Sequence, residues 1–162
     1  MTGTFSIREA VPADLDLVHG FILALADYEK LAHEVRADRA TLAAHLFGDR
    51  PKAEVLIAEA DGAPVGFALF FHTFSTFEGK PGLYLEDLFV TPEARGRGAG
   101  RALLARLAQL AVERSCARLE WAVLDWNQLA IDFCRSLGAR PMDEWTVQRV
   151  DGAALEALAA AR

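Results

Sequence analysis

The chain has 162 residues, of which 52% are hydrophobic and 25% charged, a composition that excludes a disordered chain and predicts one globular domain spanning residues 1–162. Its formal net charge of −6 argues against nucleic acid as a partner, since such surfaces are basic, and is compatible with attraction of small cations. Two cysteines make neither a disulfide framework nor a metal cluster, and no apolar run approaches membrane length, so we predict a cytoplasmic protein without metal or membrane partner.

The spacing of apolar and turn residues predicts the secondary structure in chain order. The first predicted elements are a strand at 5–8, a helix that begins at Pro12 and Asp14, and a shorter helix that begins at Asp38 or Thr41 and ends at Gly48. A strand at 54–60 follows, then a hairpin turn at Asp61-Gly62 and a return strand at 65–74. After a loop at 75–82 comes a strand at 83–90 that we expect to be buried on both faces. The second half reads as a glycine-rich loop, a helix at 101–115, a strand at 118–124, a helix from Asn127 to Leu137, a strand at 144–150 and a helix at 153–161. This order predicts an α/β fold with a mixed, mostly antiparallel central sheet flanked by helices.

The glycine-rich loop is the most informative local feature. It reads Arg95-x-x-Gly98-x-Gly100 and stands between a strand and a helix. A helix N-terminus behind a glycine-rich turn offers unpaired N–H groups and the positive end of the helix dipole, which suits a phosphate. A Walker loop requires Gly-Lys-Ser/Thr and a dinucleotide loop requires Gly-x-Gly-x-x-Gly, and neither pattern is present. An ordinary βα turn is the structural alternative.

Two groups of polar residues are candidates for chemistry. Glu86 and Asp87 are adjacent acids inside an apolar strand, where a buried carboxylate is paired, hydrogen-bonded or protonated. A carboxylate with a raised pKa can accept a proton from an amine, whereas the alternative is a pair of structural salt bridges. Tyr28 and Glu29 together suit an alkylammonium through cation–π contact and ion pairing, whereas the alternative is a solvated Glu beside a core Tyr.

The loop resembles the Arg/Gln-x-x-Gly-x-Gly/Ala motif of the GCN5-related N-acetyltransferases, in which it binds the pyrophosphate of acetyl-CoA. Nearly the whole chain resembles the diamine (spermidine/spermine or thialysine) acetyltransferase branch of that superfamily. The matching segments are 25–29 (LADYE), 65–68 (VGFA), 83–90 (LYLEDLFV), 95–101 (RGRGAGR), 125–127 (DWN) and 131–139 (IDFCRSLGA).

The resemblance implies the acyl-CoA N-acyltransferase fold and transfer of an acetyl group from acetyl-CoA to the primary amine of a small cationic molecule, in a homodimer. It places the cofactor against Leu88, Phe89, Val90, Arg95, Gly96, Arg97, Gly98, Ala99, Gly100, Arg101, Asn127 and Ala130. It places the amine beside Tyr28, Glu29, Glu86, Asp87, Glu120 and Trp121. We predict direct attack by the amine, with Glu86 accepting its proton through water and Asp87 serving as a structural or electrostatic partner.

One departure from the family concerns the acid step. The family motif carries a Tyr that protonates the leaving thiolate, and Cys134 stands at that position. We expect Cys134 to act as a weak substitute acid; the alternatives are a nucleophile or no role at all. A second departure is Phe77, where some members carry Trp, and Trp121 lies at a variable position. A non-catalytic acyl-CoA sensor and a nucleotide-binding module remain alternative functions.

Overall fold

A five-stranded sheet organises the first part of the chain in the computed structural model, which describes residues 4–161. The strands are β1 (Ser6–Glu9), β2 (Glu54–Ala60), β3 (Ala63–Ser75), β4 (Lys80–Val90) and β5 (Leu119–Trp121). The helices are α1 (Leu15–Tyr28), α2 (Arg39–Phe47), α3 (Ala99–Glu113), α4 (Gln128–Ser136) and α5 (Gly152–Ala160). The strands lie in chain order; β1 to β4 are antiparallel, and β5 runs parallel to β4. The prediction of a mixed, mostly antiparallel sheet with helices is confirmed.

Contacts divide the chain into two compact units, Met1–Ala122 and Val123–Arg162. The first unit holds the whole sheet with α1, α2 and α3. The second unit holds α4 and α5. No helix among residues 4–161 is long and apolar enough to cross a membrane.

Polar contacts lie at the beginnings of the first two helices. Asp14 precedes α1, and its carboxylate accepts bonds of 2.8 and 2.9 Å from the two Nη atoms of Arg8 in β1. This guanidinium holds the pKa of Asp14 below its ordinary value. Asp38 caps α2, because its Oδ1 accepts a 2.7 Å bond from the Thr41 N–H.

The two faces of the sheet bury different helices. On one face, α1 and α2 pack on the strands through a core of Val18, Phe21, Leu25, Leu46, Val55, Ile57, Phe67, Leu69 and Phe89. On the other face lies α3, with Leu103 and Leu107 fully buried and the Arg114 guanidinium 5.8 Å from the ring of Phe70. Leu69 and Phe70 are consecutive in β3, so their side chains point to opposite faces of the sheet, Leu69 towards α1 and Phe70 towards α3. A residue paired with Leu69 in the ladder therefore lies on the α1 face, and one paired with Phe70 lies on the α3 face.

The β3–β4 hairpin is tighter than predicted. The ladder continues to Ser75↔Lys80, so the predicted loop at 75–82 shrinks to the turn at 76–79. The prediction that strand 83–90 is buried on both faces is also wrong: Leu83 and Leu85 are buried between β3 and β5, but Glu86 is exposed. Glu86 lies just beyond the point where pairing with β5 ends, at the open edge of β4.

The predicted strand at 144–150 does not form, and β5 is shorter than the predicted 118–124. A strand needs a neighbour to bond its N–H and C=O groups. In the described residues, the backbone–backbone bond shown for this segment is a turn bond from the Trp145 N–H to the Met142 C=O, and the Thr146 C=O accepts a bond from the nearby Gln148 side chain. Its apolar side chains, Trp145 and Val147, are 75% and 90% exposed. A strand-like sequence alone supplies no pairing partner.

Candidate functional site

β4 has an open edge at its carboxyl end. β5 pairs with it only from Leu83↔Leu119 to Leu85↔Trp121, whereas β4 continues to Val90. Within the described part of the chain, no strand therefore lies beside residues 86–90 on that side. The free N–H and C=O groups of such an edge are suited to pair with an extended ligand.

A β-bulge at Glu86 marks the start of this edge. The β3 register passes from Leu69↔Asp87 to Phe70↔Leu85, so Glu86 has no partner across the ladder. Glu86 is exposed, which corrects the expectation of a carboxylate buried in an apolar strand. The unpaired bulge position coincides with the exposure of Glu86, whereas the sequence pattern suggested burial.

Asp87 is the desolvated acid of the pair. Its ladder partner is Leu69, and the neighbouring pair two residues along is Phe67↔Phe89, so Asp87 lies on the face that α1 covers. Burial, together with the negative charges of Glu86 and Glu29, raises the pKa of Asp87 to about 6. Glu29 follows the last residue of α1, and burial raises its pKa as well. The structure thus brings these three predicted site residues together.

At the β5 end of the site, the predicted residue Glu120 is paired with an arginine. Glu120 is the ladder partner of Tyr84 and forms an exposed ion pair of 3.5 Å with Arg118. Burial and the charges of Glu86 and Glu120 raise the pKa of Tyr84, a residue that the sequence analysis did not single out. Trp121, predicted to face the amine, is half-buried opposite Leu85.

The glycine loop opens α3 as predicted, two residues earlier than the predicted helix start at 101. Gly98 precedes the first helical residue with φ +98°, in the left-handed region that favours glycine. The first intrahelical bond runs from the Ala102 N–H to the Gly98 C=O at 2.9 Å, so the N–H groups of Ala99 and Gly100 have no earlier carbonyl of the helix to bond. A Cβ added at Gly96 or Gly98 would meet no protein atom within 4 Å. The loop therefore presents open space before a helix N-terminus, which fits a pyrophosphate.

Arg95, at the start of this loop, contacts aromatic rings. Its guanidinium carbon lies 4.8 Å from the centre of the Tyr28 ring and 5.4 Å from that of Phe89, while Nε donates a 2.9 Å bond to the Val90 C=O. One face of Tyr28, predicted for an alkylammonium, is thus covered by the chain's own cation. This contact is not predictable from the sequence, because the two residues lie far apart in the chain.

The second unit carries three further predicted residues. Asn127 is buried and caps α4, since its Oδ1 accepts a 3.2 Å bond from the Ala130 N–H. Cys134 is half-buried on α4. Among residues 4–161, no group of three His, Cys, Asp or Glu side chains is arranged to hold a metal ion.

Comparisons with known proteins identify the family of the chain. The model of the Acetyltransferase (GNAT) family matches residues 22–139. The thialysine N-epsilon-acetyltransferase of Bos taurus is 38% identical over 164 residues, which cover 94% of this chain and 96% of that protein. The L-ornithine N5-acetyltransferase NATA1 of Arabidopsis thaliana is 30% identical and covers 94% of this chain and 86% of its own length.

A solved structure shows the same fold. An integron cassette protein from the mobile metagenome of V. cholerae superposes with a TM-score of 0.80 at 30% identity and covers 99% of both chains. The family match spans most of the chain, including β4, the glycine loop and α3. The chain belongs to the GNAT family and is an acetyltransferase.

Proposed function

We propose that this enzyme transfers the acetyl group of acetyl-CoA to the primary amine of a small cationic molecule of the polyamine, thialysine or lysine-like class. The observation that carries the proposal is the group of three acids, Glu29, Glu86 and Asp87, beside the open edge of β4 that leads into the glycine loop. Three carboxylates this close attract a cation and disfavour an anion. Relatives named for thialysine and ornithine support the same class of amine.

The cofactor is proposed to bind along the route from β4 to α3. Acetyl-CoA supplies a thioester-activated acetyl group. The N–H groups of residues 96–101 hold its pyrophosphate, and the backbone of Leu88–Val90 pairs with its pantetheine arm. N–H groups at the end of this strand stabilise the negative charge that develops on the acetyl oxygen.

The acids are proposed to prepare the amine. An alkyl amine has a pKa near ~10.4, so it arrives protonated and must lose a proton before it attacks. Glu86, acting through water, is the acceptor favoured by the sequence. The position of Asp87 beside Glu29 and its pKa of about 6 favour Asp87 instead, because a base is effective near its own pKa.

An amine panel tests the substrate class. With acetyl-CoA present, release of free thiol is expected with polyamines and diamino acids, and little release with anionic amines such as aspartate. Glu29→Gln is expected to raise KM for the cationic amine by about fivefold with a smaller change in kcat, because the ion pair stabilises ground and transition states alike.

The control for this charge change is Glu34→Gln, which removes an exposed carboxylate paired with His33. It removes the same charge and is expected to leave KM unchanged. Equal or faster turnover of aspartate than of the cationic amines would contradict the proposed substrate class.

Replacing Cys134 tests the acid step. Cys134→Ala is expected to reduce kcat by about tenfold or less, below the usual range for a committed general acid, because the CoA thiolate is a tolerable leaving group. Cys134→Tyr restores or raises kcat if there is room for a phenol. Loss of all turnover in Cys134→Ala, together with a stable acetyl adduct on the parent protein in mass spectrometry, would instead identify a nucleophile.

A homodimer is proposed from the family resemblance, and the exposed segment at 144–150 supports it, since unpaired apolar side chains such as Val147 gain by burial. Sedimentation is expected to give a dimer, and Val147→Glu is expected to shift it towards monomer. Val112→Glu is the matched control, since Val112 is 80% exposed on α3. A monomeric parent chain would refute the proposal.

The domain and location are proposed on simpler grounds. The family match extends from residue 22 to 139 and so includes residues of both compact units, which supports one acetyltransferase domain over residues 1–162. The cytoplasmic location is proposed from the low cysteine content.

A further inference from the structure

Arg95 lies at the end of a chain of ring contacts that begins in the core. Phe67 stacks on Phe21 at 5.3 Å, Phe21 contacts Phe89 at 5.9 Å, and the Arg95 guanidinium lies between the rings of Phe89 and Tyr28. Phe67 is fully buried, whereas Tyr28 is 40% exposed. The chain of contacts thus connects the interior with the wall on which the amine is proposed to bind.

The glycine loop has few other side-chain anchors. Ala94 and Ala99, at its two ends, are buried, and residues 95–98 between them are exposed. Both glycines of this stretch have open space around them. In the described residues, Arg95 is the member of 95–98 whose side chain contacts β4 and the aromatic rings.

The type of side chain matters at this position. An arginine can donate from Nε to the Val90 C=O and at the same time lay its flat guanidinium on an aromatic ring. Each contact limits where the loop's first residue can lie: the hydrogen bond relative to β4, and the ring contact relative to the end of α1.

We infer that Arg95 is a positioning residue that couples Tyr28, on the amine side, to the pyrophosphate-binding loop. The inference rests on the proposed function, because it requires acetyl-CoA at the loop and an amine beside Tyr28. Tyr28 acts by presenting a ring to Arg95, so the α1 residue contributes to cofactor affinity without touching the cofactor. The Arg95 guanidinium also covers one face of the Tyr28 ring, so removing it changes the ring's surroundings on the amine side and is expected to alter amine binding as well.

The first experiment measures the acetyl-CoA Kd of Tyr28 variants by calorimetry. Tyr28→Leu is expected to weaken acetyl-CoA binding by about two- to fivefold, the size of one exposed cation–π contact. Tyr28→Phe keeps the ring and is expected to bind as the parent chain does. In an Arg95→Gln background, Tyr28→Leu is expected to have no further effect. Leu23→Ala, on the exposed side of α1, controls for general loosening of the helix.

The second experiment measures the amine KM at saturating acetyl-CoA and does not require Tyr28→Leu to fold. Arg95→Gln is expected to raise this KM by about two- to fivefold. Arg97→Gln changes an arginine of the same loop that, in the described structure, does not lie over the Tyr28 or Phe89 ring, and it is expected to act on the acetyl-CoA Kd alone.

The outcomes separate this inference from the proposed function. Suppose that the parent chain binds acetyl-CoA and acetylates amines. The inference is then overturned if Tyr28→Leu and the parent have equal acetyl-CoA Kd values, if Tyr28→Leu and Tyr28→Phe lose affinity equally, or if the effect of Tyr28→Leu persists in the Arg95→Gln background. An unchanged amine KM in Arg95→Gln also overturns it. A parent chain that binds no acetyl-CoA overturns the proposed function, and the inference with it.

Discussion

Replacing Gly98 by valine is expected to weaken acetyl-CoA binding by about hundredfold or more. Gly98 has φ +98°, where a side chain costs about 1–2 kcal/mol of backbone strain. A Cβ at this position meets no protein atom, so the side chain would project into the space in which we propose the pyrophosphate binds. The substitution therefore acts on the ligand as well as on the backbone. Calorimetric titration of the folded variant with acetyl-CoA measures the effect.

The hairpin glycine Gly62 provides a matched control. It has φ +78° and, like Gly98, open space around it, but it lies in the turn between β2 and β3. Gly62→Val is expected to lower the free energy of unfolding by a similar amount while leaving the acetyl-CoA Kd of the folded protein unchanged. If Gly98→Val binds acetyl-CoA as tightly as the parent, the proposed cofactor loop is misplaced.

Features encoded in a few consecutive residues were predictable from the sequence. The Asp61-Gly62 turn has φ values of +51° and +78°, as that dipeptide favours, and β2 has its predicted bounds of 54–60. The Asn127 cap and the helix that begins behind Gly98 also follow from local chemistry. In each case the signal and the structure involve the same short stretch, so no distant partner was needed.

Features that depend on distant residues were not predictable in this way. The bulge at Glu86 arises from the register of β3 against β4; Glu86 is exposed, whereas Asp87 stays partly buried. The cation–π contact of Arg95 joins the end of α1 to the loop before α3. The segment at 144–150 has the alternation of a strand but no strand to pair with among the described residues. Pairing and packing between distant segments decided these three outcomes.

Asp87→Asn is expected to reduce kcat/KM by about hundredfold or more at neutral pH, the usual range for loss of a general base. The pKa of Asp87 is about 6, so the parent enzyme should lose activity as the pH falls through that value and Asp87 becomes protonated. In Asp87→Asn this loss of activity at low pH should disappear. The residual rate should instead rise with the fraction of neutral amine, up to the amine's own pKa near ~10.4. A pH profile of kcat/KM for the parent and the variant measures this.

Glu86→Gln distinguishes the two adjacent acids. If Glu86 is the acceptor, as the sequence suggested, this variant should lose most kcat/KM at low pH, where neutral amine is scarce. If Asp87 is the acceptor, kcat/KM of Glu86→Gln should still fall as the pH drops through a value near 6. This midpoint should lie slightly lower than in the parent, because one negative charge that raises the pKa of Asp87 has been removed. The loss of activity at low pH in the two variants therefore assigns the base.

Asp87→Asn, which is expected to lower activity, should raise the stability of the folded protein. The pKa of Asp87 is raised from 3.8 to about 6 in the folded protein, so the folded state binds more protons than the unfolded state between these values. Stability is therefore lost as the pH rises through this window, and the full cost, about 1–3 kcal/mol, is present above pH 6. Asp87→Asn should melt at a higher temperature than the parent at pH 7.5 and at nearly the same temperature at pH 4. A residue that destabilises the fold but supports turnover is expected of a base held in a desolvated position. An Asp87→Asn variant that is active with an unchanged pH profile, or that is less stable at pH 7.5, would instead assign Asp87 a structural role.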